Sequence, residues 1–287
     1  MISSLNTLFQ SPYNRQHPLT ALGRFLTWKF IRVFKVKNYL RRFWGNRKIN
    51  IQYDSFHAMW LMYNYWVDWA EFNLIKNYIR SGDVAVDVGA NIGYYSLWMS
   101  KFTGPSGKVI AFEPDIINYG RLIGNIGVNQ LSGDIEAVKK AAGNIDGDIF
   151  FTIGMDGGNH IAQGNNINSI QVGSIKLDSF FIQKNIDHIV YMKVDVEGFE
   201  LEVLKGCQRY LENKKIEIIQ LEINKTLSNS GATVKELLSL LDKHKYSLCS
   251  YNVTTNLLEP VKYSIDAENY FSAFDLEKVN KRLKNKK

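Results

Sequence analysis

Val86-Asp87-Val88-Gly89-Ala90-Asn91-Ile92-Gly93-Tyr94-Tyr95 is the stretch on which the fold turns. It closes an apolar run, Val84 to Val88, that follows the turn signal Ser81-Gly82-Asp83 and reads as a buried strand. Gly89 and Gly93 let the backbone turn sharply, and Ile92 to Phe102 reads as a helix whose free N–H groups and positive dipole end face that turn. Such an end suits a carboxylate. The spacing is not the G-x-G-x-x-G of dinucleotide binders, and Asp87 would sit badly beside a pyrophosphate but well beside an ammonium group. A ligand bearing both charges, an amino acid, fits best; a turn that needs small residues for packing alone is the bland alternative.

Working outward, Val109 to Phe112 is a second strand, followed by Glu113, 26 residues after Asp87, and by Pro114 ahead of a helix from Asp115 to Asn129. An acid there is where Rossmann-type folds hold ribose hydroxyls, since one carboxylate accepts from two adjacent O–H groups. Glycine turn and acid together describe a nucleoside with an amino-acid end, which is S-adenosylmethionine. Ile135 to Ala141 reads as a third strand, and the repeated strand–helix–strand unit predicts a doubly wound sheet. Residues 144 to 178 break the rhythm with Gly-rich polar stretches around two short strands, a hairpin-like insertion suited to substrate contacts. The alternation resumes with a strand at Ile189–Val194, a helix at Glu200–Leu211, a strand at Ile216–Ile223 and a helix at Val234–His244. Strands near Tyr246–Tyr251 and Tyr270–Phe274 then form an antiparallel edge. The expectation is an α/β protein with a mostly parallel, seven-stranded sheet.

The third cluster, Lys193-Val194-Asp195-Val196-Glu197-Gly198-Phe199-Glu200, closes the fourth strand at the sheet edge where such folds bind ligands. Strand geometry puts Lys193, Asp195 and Glu197 on one face. A salt bridge from Lys193 to either acid is the structural alternative. Glu222, in Leu221-Glu222-Ile223-Asn224, ends the fifth strand at the same edge, with pairing to a lysine as its structural alternative. His160, in Gly157-Gly158-Asn159-His160, titrates near neutrality but ranks below the acids as a base, because lone loop histidines are more often surface residues.

Asp87–Tyr95 (D-V-G-A-N-I-G-Y-Y), A-F-E-P up to Pro114, K-V-D-V-E-G-F-E up to Glu200 and I-I-Q-L-E up to Glu222 together resemble the FkbM family of S-adenosylmethionine-dependent O-methyltransferases. The resemblance covers about residues 71 to 225. Its most distinctive part is V-D-V-E-G-F-E-x-x-V-L-K-G, from Val194 to Gly206, and Leu177-Asp178 adds to it. It implies a Rossmann-like class I methyltransferase fold, S-adenosylmethionine as cofactor, and methylation of a hydroxyl, commonly on a sugar or glycosylated product. The resulting expectation has Asp87, Gly89, Ala90, Asn91, Gly93, Glu113 and Ala142 binding the cofactor, Asp195 and Glu197 as catalytic acids, a carbohydrate-containing acceptor and no metal. A nicotinamide-dependent dehydrogenase and a non-catalytic membrane-surface adaptor are the rival classes.

The chain of 287 residues, 45% hydrophobic, can bury one large core with an appendage. Cys207 and Cys249 stand far apart, which argues against a disulfide framework or a structural zinc site. Arg or Lys interrupts the early apolar stretches, and no 18-residue apolar run occurs, so neither a signal peptide nor a membrane span is expected and the cytoplasm is the default. The net charge of +7 belongs to the start of the chain: residues 1 to 53 carry ten Lys and Arg and no acid. Residues 1–55 are expected as a basic extension, 56–275 as the methyltransferase domain, and 276–287, with Lys278, Lys281, Arg282, Lys284, Lys286 and Lys287, as a basic tail. Residues 21 to 44 read as a basic amphipathic helix. Adsorption of residues 21–48 to an anionic membrane, or contact with an anionic substrate, is weighed equally with packing on the catalytic domain, and no nucleic-acid motif accompanies the charge. From Phe56 to Phe72, Phe56, Trp60, Tyr63, Tyr65, Trp66, Trp69 and Phe72 suit a helix covering a core, with sugar stacking as the lesser reading.

Overall fold

The structure, a computed structural model, describes residues 8–9, 12–43, 46–64, 66, 68–152, 154, 160, 169–267 and 269–285. The chain forms two compact units, Met1–Trp69 and Ala70–Lys287. The division thus falls beyond residue 55, where the extension was expected to end.

In the first unit, helices α1 (Pro12–Gln16) and α2 (Pro18–Val33) precede an antiparallel pair, β1 (Tyr39–Phe43) and β2 (Arg47–Ile51), and a third helix, α3 (Phe56–Tyr63). The expected helix over 21–44 stops at Val33. Lys35 takes a left-handed conformation (φ 49°) and Val36 N–H returns to the Ile31 carbonyl, closing the helix end. Beyond it, backbone pairing of Tyr39–Phe43 with Arg47–Ile51 replaces helical bonds, and Phe43, Ile49 and Ile51 are buried; Trp44 lies outside the described residues. Among the described residues its interior holds one buried cation: Arg24 donates to the Met62 carbonyl (3.2 Å) and to Asn14 Oδ1, while Asn14 Nδ2 donates to the Leu8 and Tyr63 carbonyls (2.7 Å each). The charge is thereby hydrogen-bonded rather than stranded.

The aromatic segment is two helices, not one: α3 and α4 (Trp69–Tyr78). Tyr63 and Phe72 are buried, as packing residues should be, but Phe56 and Trp69 are about half exposed; Tyr65 lies outside the described residues.

The second unit is built on an eight-stranded sheet with the order β12-β11-β13-β10-β9-β3-β4-β5. Its strands are β3 (Val84–Val88), β4 (Lys108–Phe112), β5 (Ile135–Val138), β9 (Ile189–Val194), β10 (Ile216–Glu222), β11 (Ser247–Asn252), β12 (Leu257–Pro260) and β13 (Asn269–Ala273). The five from β5 to β10 run parallel, and β13, β11 and β12 are antiparallel. Seven of the eight follow the expected pattern. The eighth, β12, arises because Asn252 Oδ1 accepts the Thr254 and Thr255 N–H groups, turning the chain so that Leu257–Pro260 pairs back on β11; Pro260 is tolerated on this edge strand.

Helices α5 (Tyr94–Thr103) and α6 (Ile116–Val128) follow β3 and β4. The insertion is a three-stranded sheet, with β8 (Ser169–Ile175) between β6 (Ala141–Ala142) and β7 (Gly147–Thr152). Most of the polar stretch between β7 and β8, including Gly157, Gly158 and Asn159, lies outside the described residues. The third strand of the main sheet accordingly ends at Val138, and Ala141 belongs to the insertion.

After α7 (Leu177–Gln183), the helix expected at Glu200–Leu211 divides into α8 (Glu200–Lys205) and α9 (Gln208–Glu212). A Cβ at Gly206, between them, would lie 1.8 Å from the Gly143 carbonyl oxygen. Helix α10 is Val234–Lys243, and the expected basic tail folds as α11 (Leu276–Lys284), whose Val279 and Leu283 are buried and whose Arg282 pairs with Asp83; Lys286 and Lys287 lie outside the described residues. Under the sheet, Glu217 accepts from Tyr78 Oη (2.6 Å) and Lys278 Nζ (2.7 Å) and meets His188 Nε2 at 3.0 Å.

Candidate active site

The order β4-β3-β9 marks the point where the chain reverses its direction of sheet growth, and the loops after β3 and β9 flank the crevice this creates. The two loops are locked together: Asp195 N–H donates to the Val88 carbonyl (3.1 Å), and a Cβ on Gly89 (φ +81°) would lie 1.8 Å from the Asp195 carbonyl oxygen. Gly89 is therefore required first by the neighbouring strand, not only by room for a ligand. Gly93 (φ +88°) is likewise confined by Leu122, 2.5 Å from where its Cβ would be. Gly89 and Ala90 N–H both donate to the Phe112 carbonyl (3.0 and 2.9 Å), which pins the turn to the end of β4.

The expected cofactor acids lie on either side of this turn. Asp87 is fully buried; Ser96 Oγ donates to Oδ2, and Oδ1 has no hydrogen-bond partner among the described residues. Burial raises its pKa, with the Lys193 ammonium opposing. Glu113 is also buried, and its two oxygens accept Asn91 N–H (2.7 Å) and Asp115 N–H (2.9 Å). Burial pushes it up to about 8 against those two hydrogen bonds. Asn91 takes a left-handed conformation (φ 51°) and accepts Ile92 N–H on its own Oδ1. Ala142 sits on β6 in the apolar core with Val86, Val88, Ile110 and Phe112.

At the ends of β9 and β10 the structure brings Asp195, Glu197 and Glu222 together, one oxygen of each lying within 4.8 Å of the others. Lys193 Nζ, buried, donates to Asp195 Oδ2 (2.7 Å) and stands 4.7 Å from the Tyr95 ring centroid. Burial alone would lower its pKa, but the facing Asp195 and Asp87 carboxylates raise it, so the ammonium stays charged. Glu222 is raised by burial, by the Asp195 charge and by a hydrogen bond to Asp195, an arrangement in which the pair holds a proton. The Lys193 salt bridge, named above as the structural alternative, is formed to Asp195 (2.7 Å), beside the grouped acids. No metal is expected from the sequence; the proximity of three carboxylates suits a shared proton as well as a cation.

Three supporting residues have no role in the sequence reading. Glu200, buried, accepts Val196 N–H (3.2 Å) and Gly198 N–H (3.1 Å) on Oε1, fixing the loop that carries Glu197 in its left-handed conformation (φ 52°). Asn224 Nδ2 donates to Glu222 Oε1 (3.0 Å). Gln220 joins Tyr191 Oη (2.6 Å) to Tyr95 Oη (3.2 Å). Glu200 and Asn224 stand next to the quoted acids in the chain; the Gln220 chain has no sequence signal, because its members come from three separate elements. Asp178 accepts Arg209 and Tyr210 N–H, capping α9, and so ties helices together. His160 is held through its backbone by Thr152.

A doubly wound sheet, a glycine turn at the switch point, an acid ending the second strand and a charged cluster ending the fourth define an S-adenosylmethionine-dependent methyltransferase. The model of the Methyltransferase FkbM domain matches residues 87–248. The chain belongs to that family, and the dehydrogenase and adaptor classes fall with it. Among curated relatives, the hexuronic acid methyltransferase AglP of Haloferax volcanii is 28% identical over 174 residues, 61% of this chain and 67% of the relative. Methyltransferase sdnD of Sordaria araneosa is 26% identical over 185 residues, 53% of this chain and 70% of the relative. A crystal structure of Methyltransferase FkbM from Methylobacillus flagellatus is 17% identical with a TM-score of 0.42, covering 74% of this chain and 53% of that one.

Proposed function

We propose that this protein is an O-methyltransferase acting on a hydroxyl of a carbohydrate, in a glycan, a glycolipid or a glycosylated product. The observation that carries the proposal is the grouping of Asp195, Glu197 and Glu222 beside the glycine turn. Carboxylates accept hydrogen bonds from sugar hydroxyls and can take a hydroxyl proton. A hexuronic acid, the substrate class in the name of one relative, offers both hydroxyls and a carboxylate.

The turn's residues suit the cofactor. The unpaired Asp87 Oδ1 is a buried acceptor that an ammonium group would satisfy. Glu113 has one lone pair left on each oxygen for ribose hydroxyls, and Gly89, Ala90, Asn91 and Gly93 shape the cradle. Ala142 contributes apolar packing. When bound, S-adenosylmethionine supplies an electrophilic methyl group on a sulfonium. With the cofactor bound, Asp195 or Glu197 would orient the acceptor hydroxyl and take its proton. Lys193 holds Asp195 in place, and Glu222, sharing a proton with Asp195, sets which oxygen is available to the acceptor. Cys207 and Cys249, both buried and unpaired, suit a reducing cytoplasm.

The test is transfer of radiolabelled methyl from S-adenosylmethionine into fractionated host extract by wild type and by Asp87→Ala. Label in a glycan or glycolipid fraction as base-stable ether, absent with the variant, supports the proposal. Label confined to protein or RNA, or released by mild base as a methyl ester, overturns it.

A further inference from the structure

Helix α2 is apolar on two opposite sides. At 100° per residue, Ala21, Arg24, Trp28 and Ile31 cluster in one direction and are buried within the N-terminal unit. Leu19, Leu22, Leu26, Phe30 and Val33 fall in an arc of about 80° on the other side, and every one is exposed: 85%, 38%, 57%, 57% and 73% respectively. Phe34, also exposed, continues the stripe, its ring 4.5 Å from that of Phe30. A helix on the surface of a globular unit ordinarily turns polar residues outward, so a continuous outward apolar stripe calls for an occupant.

Charge selects among occupants. Lys29 borders the stripe, Lys35 and Lys37 follow its C-terminal end, and residues 1–53 hold no carboxylate to offset them. A second copy of the chain would set like charges against each other. RNA offers phosphates but no apolar layer for Leu19 and Leu26. An anionic bilayer offers both, phosphate headgroups above and hydrocarbon below. At 16 residues the helix is ~24 Å long, and no helix among the described residues is long and apolar enough to cross a membrane, so the stripe lies in the interfacial plane. We infer that α2 docks flat on an anionic lipid bilayer, with Leu19, Leu22, Leu26, Phe30 and Val33 in the acyl boundary and Lys29, Lys35 and Lys37 at the headgroups.

The experiment is co-sedimentation of the full-length chain with vesicles of phosphatidylcholine alone or mixed with phosphatidylglycerol. Binding to the anionic vesicles alone, weakened by salt, is expected, and Leu26→Glu/Phe30→Glu should lower it roughly tenfold or more. Both substitutions alter exposed side chains, so melting temperature and S-adenosylmethionine binding serve as folding controls. A solvatochromic dye on Phe30→Cys, selective because Cys207 and Cys249 are buried, should shift to the blue on anionic vesicles. The inference fails if a chain that binds S-adenosylmethionine ignores anionic vesicles, or if the double variant binds them as well as wild type. It fails too if the stripe instead governs self-association or RNA binding. None of these readouts requires turnover, so failure here leaves the methyl-transfer proposal to its own test.

Discussion

Gly89→Ala is the sharpest perturbation of the site, because the structure sets its magnitude. The new Cβ would stand 1.8 Å from the Asp195 carbonyl oxygen, where carbon and carbonyl oxygen need roughly 3.3 Å. The end of β3 or of β9 must therefore move by about 1.5 Å. The position also has φ +81°, which costs a non-glycine residue about 1–2 kcal/mol, and overpacking adds about 1–3 kcal/mol. The sum, about 2–5 kcal/mol, lowers the melting temperature by roughly 5–15 °C for a domain of this size. Displacement of Asp195 by even about 1 Å costs on the order of 10²-fold in turnover. Calorimetric unfolding, with titration of S-adenosylmethionine into the same samples, measures both effects. Gly124→Ala is the control: nothing lies within 4 Å of its Cβ in the interior of α6, so a gain of about 0.5–1 kcal/mol is expected. A Gly89→Ala protein that melts within about 1 °C of wild type and binds the cofactor equally well would refute the packing argument.

Asp195→Asn should lower kcat by about 10²–10⁴-fold while leaving cofactor affinity within a few-fold, and Asp87→Ala should abolish cofactor binding; titration calorimetry beside a turnover assay separates the two, and the reverse pattern would exchange their roles. Glu113 is raised to about 8 by burial, so the folded chain keeps a proton that the unfolded chain releases near its ordinary value, and its contribution to stability falls as pH rises from about 4.5 to about 8. Glu113→Gln should flatten that slope in urea titrations across this range; an unchanged slope counts against it. Binding of ribose hydroxyls to the ionised carboxylate should release a proton at pH 7, read as a binding enthalpy that varies with buffer, and the Gln variant should lose the dependence. Glu217 behaves oppositely: burial works against it, but His188, Lys278 and Tyr78 hold it down to about 2, so its stabilisation is present above about 4.5 and lost as pH falls toward 2. Glu217→Gln should cost about 2–3 kcal/mol at pH 7 and blunt acid unfolding; full acid sensitivity in the variant would locate the effect elsewhere.

The sequence by itself determined what depends on neighbours along the chain. Glycine spacing, a valine-rich run and the acids ending β3, β4, β9 and β10 are local patterns, because strand and helix periodicities are set within a few residues. The βαβ rhythm made the sheet legible, including Ile189–Val194 with both its bounds. Tertiary structure decided what depends on partners. Asp195 follows the end of β9 and Glu222 ends β10, its parallel neighbour, and only pairing of β9 with β10 makes their carboxyl groups neighbours. The Gly143 carbonyl pressed against Gly206 marks the break in the expected helix at 200–211, a contact no propensity encodes. Helix α2 is the clearest case. Both of its sides are apolar in the sequence, and periodicity cannot say which one meets a core; burial of Ala21, Trp28 and Ile31 assigned that side, and by elimination left Leu19, Leu26 and Phe30 facing outward. The hydrophobic effect rewards covering either side equally per unit area, so only the shape of the rest of the unit chooses.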